Sequence, residues 1–240
     1  MYSGPMQPST PPLIALLGGS FNPPHIGHLR LALEVREILA PREVLLVPCA
    51  TPPHKPADNL LPFAWRLAML RASVRGLPGL RSSPLEAERP GPSYTVDTLA
   101  ALAGRHPRRR PAFILGGDDF PQLPEWKEGR HIPELADIIV LPRQEKGEES
   151  FLQALRANWP HALPLPSPHP AVVHAFGLPH GGRILYLPRP RLEISSSLIR
   201  SRWLQGQSLD FLIPPAVGKF LDANAEQVRR LWEPAATFRP

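Results

Sequence analysis

The 240-residue chain has a single cysteine, Cys49, and no long apolar run, and each of these features excludes classes of protein. One thiol cannot form a disulfide within the chain or a cysteine-rich zinc site. No apolar run approaches the roughly 20 residues that cross a bilayer, and no basic segment precedes the first apolar run as in a signal peptide. We therefore expect a cytoplasmic protein with no membrane partner. Cys49 follows an apolar stretch, which favours a small buried side chain over a reactive thiol.

Two common phosphate-binding patterns, G-x-G-x-x-G and G-x-x-x-x-G-K-[ST], are also missing. Aromatic residues make up only 7% of the chain, and none lies within its most basic run, residues 105–110. Without aromatic faces for stacking on bases, we interpret that run as a solvated loop and expect no nucleic-acid partner. The net charge of +6 nevertheless favours an anionic ligand, and a nucleotide would satisfy it.

The most informative stretch begins with the wholly apolar residues 13–17, which are typical of a strand covered on both faces. The glycine pair 18–19 then allows a sharp turn and the close approach of a ligand. From about Gly27 the apolar residues recur at helical spacing, so His25 and His28 lie at the entrance of a helix. Exposed N–H groups at such an entrance attract anions, which predicts a phosphate site.

Strands and helices alternate along the rest of the chain. Further strands are predicted at residues 43–48, 112–115, 137–142 and 183–187, with a short one within 82–89. Helices are predicted at 62–74, 147–158 and 214–223, and two more begin after Ser93 or Thr95 as N-cap and after 195–197. This alternation predicts an α/β fold: a single domain with a Rossmann-like, doubly wound, mostly parallel sheet flanked by helices. We expect that domain to span residues 13–225, between a disordered extension (1–12) and a C-terminal tail (226–240), with residues 161–183 as a Pro- and His-rich connector.

Polar residues follow several predicted strands, where a doubly wound sheet binds its ligand. His54 and Lys55 suit a phosphate, although a solvated loop is the alternative reading. Asp118 suits a ribose hydroxyl or, through water, a metal ion, and equally a capping role in a turn. Trp126 offers a face for a pyridine ring. The hydroxyls of 195–197 and nearby Arg200 form a second anion site, unless they simply cap a helix.

Four segments resemble signatures of one enzyme family. GGSFNPPHIGH (residues 18–28) is similar to the G-G-[ST]-F-[DN]-P-x-H-x-G-H signature of nucleotidylyltransferases, and ISSSLIR (194–200) to their I-S-S-[TS]-x-[IV]-R. PPHK (52–55) and RPGPSYTVDTL (89–99) resemble segments of nicotinate-nucleotide adenylyltransferases. The literal HIGH also occurs in class I aminoacyl-tRNA synthetases, which would show a lysine-rich KMSKS-type loop instead. The departures are Asn22, where aspartate is usual, Ser197, where threonine is commoner, and the Pro-rich insertion.

The resemblance implies transfer of the adenylyl group of ATP to nicotinate mononucleotide, giving nicotinate adenine dinucleotide and pyrophosphate in NAD biosynthesis. Mg²⁺ would accompany ATP without dedicated protein ligands, and the sequence allows a homo-oligomer. The implied catalytic residues are His25 and His28. The implied ATP ligands are Gly18, Gly19, Ser20, Phe21, Gly27, Gly116, Asp118, Arg143, Ser196, Ser197 and Arg200. The implied mononucleotide ligands are Asn22, His54, Lys55, Tyr94, Thr95 and Trp126.

Two other functions stay open. A relative could use nicotinamide mononucleotide, phosphopantetheine or another phosphate acceptor. The segment around Thr95 favours the nicotinate form, because a helix N-terminus attracts a carboxylate more strongly than a neutral amide. The remote alternative is a basic nucleic-acid-binding module.

Overall fold

The structure is a computed structural model that describes residues 13–53, 59–142, 147–188 and 192–233. The strands in these ranges are β1 (Leu13–Gly19), β2 (Glu43–Pro48), β3 (Leu80–Ser82), β4 (Arg110–Gly116), β5 (Asp137–Leu141), β6 (Leu163–Pro164), β7 (His174–Gly177) and β8 (Arg183–Tyr186). The α-helices are α1 (Ile26–Leu39), α2 (Phe63–Val74), α3 (Thr95–Arg105), α4 (Ile132–Leu135), α5 (Gly147–Asn158), α6 (Ser196–Leu204), α7 (Pro215–Ala223) and α8 (Ala225–Trp232).

All eight strands form one sheet in the order β3-β2-β1-β4-β5-β8-β7-β6. The first six strands in that order pair in parallel, and β7 and β6 continue the sheet antiparallel. The chain winds outward from β1 in both directions, so the predicted doubly wound, mostly parallel sheet is confirmed. Among the described residues, no helix combines the length and apolar character needed to cross a membrane.

The apolar strands arise because helices cover both faces of the sheet. Along β1, Ile14 and Leu16 contribute to the core cluster on one face, and Ala15 and Leu17 to the cluster on the other. The central positions of such a strand are therefore all buried, which produces a continuous apolar run instead of alternation. A third cluster joins α2, α6, α7 and α8, and it fixes the C-terminal helices beside the central ones.

Several boundaries differ from the sequence-based predictions. The connector expected at 161–183 contains β6 and β7, and the strand expected at 82–89 lies earlier, at β3. Pairing with neighbouring strands defines these short elements, and the local pattern carries little of that information. The predicted tail is also shorter, because α8 buries Val228 and Trp232 against the third cluster. Neither Ser93 nor Thr95 caps α3, which begins after Tyr94 without a side-chain cap.

A fully buried carboxylate joins the amino ends of three strands. Asp137, the first residue of β5, accepts hydrogen bonds from Arg110 Nε at 2.7 Å and from Arg183 Nε and Nη2 at 2.9 and 2.6 Å. The main-chain N–H of Arg183 donates to the same carboxylate at 3.1 Å. Arg110 and Arg183 are the first residues of β4 and β8. This ionic cluster therefore aligns β4, β5 and β8 at the edge of the sheet opposite their carboxyl ends.

The basic run at residues 105–110 is less solvated than we predicted. Besides Arg110, Arg109 lies 3.6 Å from Glu43, and Arg105 pairs with Glu88. Arg105 ends α3 and Arg110 begins β4, and three of these arginines have carboxylate partners within the fold, while Pro107 and Arg108 between them are exposed as predicted.

Candidate active site

The two histidines of the first motif lie together at the start of α1. His25 is the N-cap residue and is 5% exposed, whereas His28 is half-buried one turn into the helix. Their rings stack with centroids 3.6 Å apart, and His28 Nδ1 accepts a hydrogen bond from the main-chain N–H of His25 at 3.2 Å. With Nδ1 as the acceptor, a neutral His28 carries its proton on Nε2 and can act as a donor there.

Two neighbours explain why this pair has its geometry. A β-carbon at Gly27 would lie 3.0 Å from His25 Nδ1, a tight contact that would displace the ring, so glycine leaves the His25 ring free to fold back over the helix. The ring of Phe21 lies 4.7 Å from that of His28 and is fully buried. The Phe21 ring therefore packs against His28 from the protein interior. The nucleotide contact predicted for Phe21 would have to come from its main chain. The first helical N–H, at Ile26, donates to the carbonyl of Leu212 at 2.9 Å.

The glycine turn opens beside the end of the neighbouring strand. Gly18, Gly19 and Ser20 are half-buried at the carboxyl end of β1, and the Gly19 carbonyl accepts from the N–H of Cys49 at 2.8 Å. The ends of β1 and β2 thus border one crevice, as the winding of the sheet predicted.

The side chain of Asn22 has a structural role that the sequence did not predict. Its side chain is 2% exposed, its Nδ2 donates to the carbonyl of Asn59 at 2.8 Å, and its Oδ1 accepts from the N–H of Leu61 at 3.0 Å. The carboxamide is therefore committed to the fold, and the implied contact with the mononucleotide stays a prediction.

The second predicted anion site lies directly against the first. The Oγ of Ser195 caps α6 by accepting from the N–H of Leu198 at 3.1 Å. Ser196 Oγ donates to the carbonyl of Pro23 at 3.0 Å, and Arg200 Nη1 donates to the carbonyl of Asn22 at 2.9 Å. These two bonds join segments more than 170 residues apart in the chain.

Arg200 also organises the start of α6. Its Nη2 donates to the Oγ of Ser197 at 3.1 Å, and that serine is exposed. Burial lowers the pKa of Arg200 from its very high ordinary value, which leaves the guanidinium cationic at neutral pH. Hydroxyls, first-turn N–H groups and a cation therefore converge beside the histidine pair, an arrangement suited to a polyphosphate.

A third group of predicted residues surrounds the start of α3. Tyr94 and Thr95 are half-buried there, and Trp126 packs edge-on against Phe113 with centroids 6.3 Å apart. Tyr94 and Trp126 contact the same core cluster. Lys127, next to Trp126, lies 4.7 Å from the centre of the Tyr94 ring. The predicted acceptor residues are thus brought together from two separate segments.

The start of α3 is tied to the end of β2 by Ser93. Its Oγ accepts hydrogen bonds from the N–H groups of Ala50 and Thr51, both at 3.1 Å, and its own N–H donates to the Thr51 carbonyl at 2.9 Å. Sequence reasoning assigned Ser93 to capping, whereas the structure uses it to connect two borders of the crevice.

Gly116 and Asp118 follow β4, the strand beside β1. The Gly116 carbonyl accepts from the N–H of Asp119 at 3.1 Å, which closes a turn, and the side chain of Asp118 is exposed. His54, Lys55 and Arg143 lie outside the described residues. Among the described residues, no group of three or more His, Cys, Asp or Glu side chains could hold a metal ion.

Sequence reasoning missed Arg66, which it placed in a purely structural helix. Its guanidinium reaches the carbonyls of Ser20 and Cys49, at the ends of β1 and β2. The only signal was a charged residue within the otherwise apolar, buried side of α2.

With this Rossmann-like sheet, the chain belongs to the cytidylyltransferase-like family, whose model matches residues 16–202. Among curated proteins, it is 40% identical over 212 residues to a probable nicotinate-nucleotide adenylyltransferase of Desulfatibacillum aliphaticivorans, covering 87% of this chain and 96% of the relative. A protein of the same name from Trichlorobacter lovleyi is 40% identical over 208 residues, covering 87% and 95%. The resemblance to nicotinate-nucleotide adenylyltransferases is thereby confirmed.

Solved structures agree on the fold. The Plasmodium falciparum nicotinic acid mononucleotide adenylyltransferase complexed with NaAD superposes with a TM-score of 0.68 at 20% identity, covering 90% of this chain and 98% of that one. The same enzyme complexed with APC gives a TM-score of 0.66, covering 89% and 96%. At this identity the likeness supports the Rossmann-like architecture.

Proposed function

We propose that the chain transfers the adenylyl group of ATP to nicotinate mononucleotide, giving nicotinate adenine dinucleotide and pyrophosphate in NAD biosynthesis. The observation that carries this proposal is the junction of the two phosphate sites. Ser196 and Arg200 bond to the carbonyls of Pro23 and Asn22, only a few residues before His25 and His28. One polyphosphate can therefore extend from the histidine pair to the start of α6.

The reaction needs no covalent intermediate on the protein. An oxygen of the mononucleotide's 5′-phosphate forms a bond with the α-phosphorus of ATP. The bond from that phosphorus to the oxygen bridging to the β-phosphate breaks, and pyrophosphate leaves with the electron pair. Catalysis then depends on positioning and on stabilising charge that develops on phosphate oxygens.

Each part of the site has a task in this scheme. His25 and His28 stabilise the α-phosphate, and the Nε2–H tautomer of His28 allows donation without prior protonation. Ser196, Ser197, Arg200 and the first N–H groups of α6 hold the outer phosphates. Gly18, Gly19 and Ser20 let the main chain approach the nucleotide closely.

Mg²⁺ fits this site as a companion of ATP. The exposed carboxylate of Asp118 at the end of β4 can contact the ion through water, or a ribose hydroxyl directly. When bound with ATP, the ion neutralises charge on the phosphate oxygens.

The mononucleotide's nicotinate group is proposed to lie at the start of α3. First-turn N–H groups and Thr95 attract its carboxylate, and the faces of Tyr94 and Trp126 suit its ring. Turnover of nicotinate and nicotinamide mononucleotide with ATP tests this choice. We expect a clear preference for the acid, and equal rates would contradict it.

The histidine assignment is tested by His28→Ala. Removing a donor to developing charge costs on the order of 100- to 1,000-fold in kcat, while the fold is retained. His131→Ala is a matched control, because that histidine is exposed and pairs only with Glu134 at the surface. Near-normal turnover of His28→Ala would contradict the proposed mechanism.

We also propose a cytoplasmic location and no nucleic-acid partner. Three arginines of the basic run already pair with carboxylates of the fold, which lowers the charge available to a phosphate backbone. A homo-oligomer stays a prediction.

A further inference from the structure

Arg66 is a charged residue enclosed beneath the phosphate-binding turn. Its side chain is 1% exposed, and its guanidinium donates to three main-chain carbonyls. Nε donates to Leu61, and Nη1 donates to Ser20 and to Cys49, each at 2.8 Å. Burial lowers the pKa of Arg66. Keeping a cation in such a place is unfavourable, so its presence indicates a task that an apolar side chain of similar size cannot perform.

Asn22 holds the same segment from the other side. Its Oδ1 accepts from the N–H of Leu61, while the carbonyl of Leu61 accepts from Arg66. Its Nδ2 donates to the carbonyl of Asn59, and its own carbonyl accepts from Arg200. The two buried side chains thus connect the turn after β1, the end of β2 and the segment 59–61, and the main-chain carbonyl of Asn22 joins this network to helix α6.

We propose that Arg66 and Asn22 are positioning residues for adenylyl transfer, which they serve by fixing the turn between Gly18 and His25 against the segment 59–61 and the end of β2. Neither side chain is exposed enough to touch a nucleotide, so both act through the main chain that they hold. This inference rests on the function proposed above.

The direction of the effect follows from what these residues contact. A misplacement of about 1 Å in a reacting arrangement can reduce the rate roughly 100-fold. Arg66 holds the turn that leads to the histidines, through its hydrogen bonds to Leu61, Ser20 and Cys49. The outer phosphates are proposed to bind elsewhere, at the start of α6. Loss of Arg66 should therefore lower kcat while KM for ATP changes little.

Arg66→Lys separates geometry from charge. Lysine keeps the cation but has a single Nζ in place of the planar guanidinium fork, so it cannot reach all three carbonyls. We expect kcat to fall by about 10- to 100-fold in a folded protein, as judged by circular dichroism. The matched control is Arg183→Lys at the opposite edge of the sheet, which should lower the Tm and leave kcat unchanged at temperatures where the protein is folded.

A double-mutant cycle with Asn22→Ala tests whether the two residues act as one unit. Since both hold Leu61, their effects on kcat should be less than additive, whereas the effects of Arg66→Lys and Arg183→Lys should add. If Arg66→Lys fails to fold, Asn22→Ala alone tests the positioning role. The proposal requires the kcat of Asn22→Ala to fall, and an unchanged kcat would overturn it.

The outcomes distinguish this inference from the proposed function. A wild-type chain that does not turn over nicotinate mononucleotide with ATP would refute the function itself. An active wild type together with undiminished kcat in folded Arg66→Lys would overturn only the positioning role. Additive losses in the cycle would also overturn it.

Discussion

Removing the buried carboxylate at the amino ends of β4, β5 and β8 should destabilise the protein without altering its chemistry. In Asp137→Ala, four hydrogen bonds to one fully buried carboxylate are lost, and the arginines on either side lose their common partner. Breaking a buried ion pair by removing one partner costs about 3–5 kcal/mol. Because the side chains of Arg110 and Arg183 are 24% and 25% exposed, water can hydrogen-bond to their guanidinium groups and partly replace the lost carboxylate. We therefore expect the lower end, about 3 kcal/mol in the free energy of unfolding.

For a domain of this size, about 1 kcal/mol corresponds to a Tm shift of about 2–4 °C, so Asp137→Ala should lower the Tm by about 6–12 °C. Thermal unfolding followed by circular dichroism measures this shift, and Asp137→Asn, which keeps the shape but loses the charge, should show a smaller one. Glu134→Gln is the control, since that carboxylate pairs with His131 at the surface. A Tm within about 2 °C of wild type for Asp137→Ala would refute the reasoning, because such a shift corresponds to about 1 kcal/mol or less.

Two further changes probe the crevice. Gly27→Ala places a methyl group 3.0 Å from His25 Nδ1, so we expect the ring to be displaced and kcat to fall about tenfold or more. The Tm should change little, because the preference of alanine for a helix, about 1 kcal/mol over glycine, offsets the tight contact. Unchanged kcat would contradict this expectation. Burial, followed by the nearby Glu86 carboxylate, raises the pKa of Cys49 to about 11. The thiol thus stays protonated at neutral pH, and ionisation removes stability only as the pH rises toward 11. Alkylation of the folded protein at pH 8 should be at least about 100-fold slower than that of a free thiol, and a rate near that of the unfolded chain would refute it.

The parts of the fold that could be predicted are those encoded by local patterns. Residues 13–17 of β1 and 138–141 of β5 form continuous apolar runs because both faces of the sheet are covered, and His25 and Ser195 precede clear helical periodicity. Four motifs in order then pointed to one family, and the structure brings the two phosphate motifs into contact.

What could not be predicted depends on pairing between distant segments. β6 and β7 are short, and their neighbours rather than their own residues define them. The roles of Asn22 and Arg66 depend on main-chain carbonyls and N–H groups up to 46 residues away, which leave no trace in a local pattern. Asn22 was read as a ligand because it lies in the motif, although its partners belong to the fold.

The contact between α6 and the Pro23 carbonyl also determines when this part of the fold can form during synthesis of the chain. Ser196 and Pro23 are 173 residues apart in the chain, and the two motifs that their hydrogen bond joins are proposed to bind one polyphosphate. At a synthesis rate of about 5–20 residues per second, the ribosome adds the second half roughly 9–35 s after the first. During that interval the histidine pair lacks its neighbouring cation, Arg200, so the arrangement that we propose binds a triphosphate is complete only after Arg200 has been synthesised.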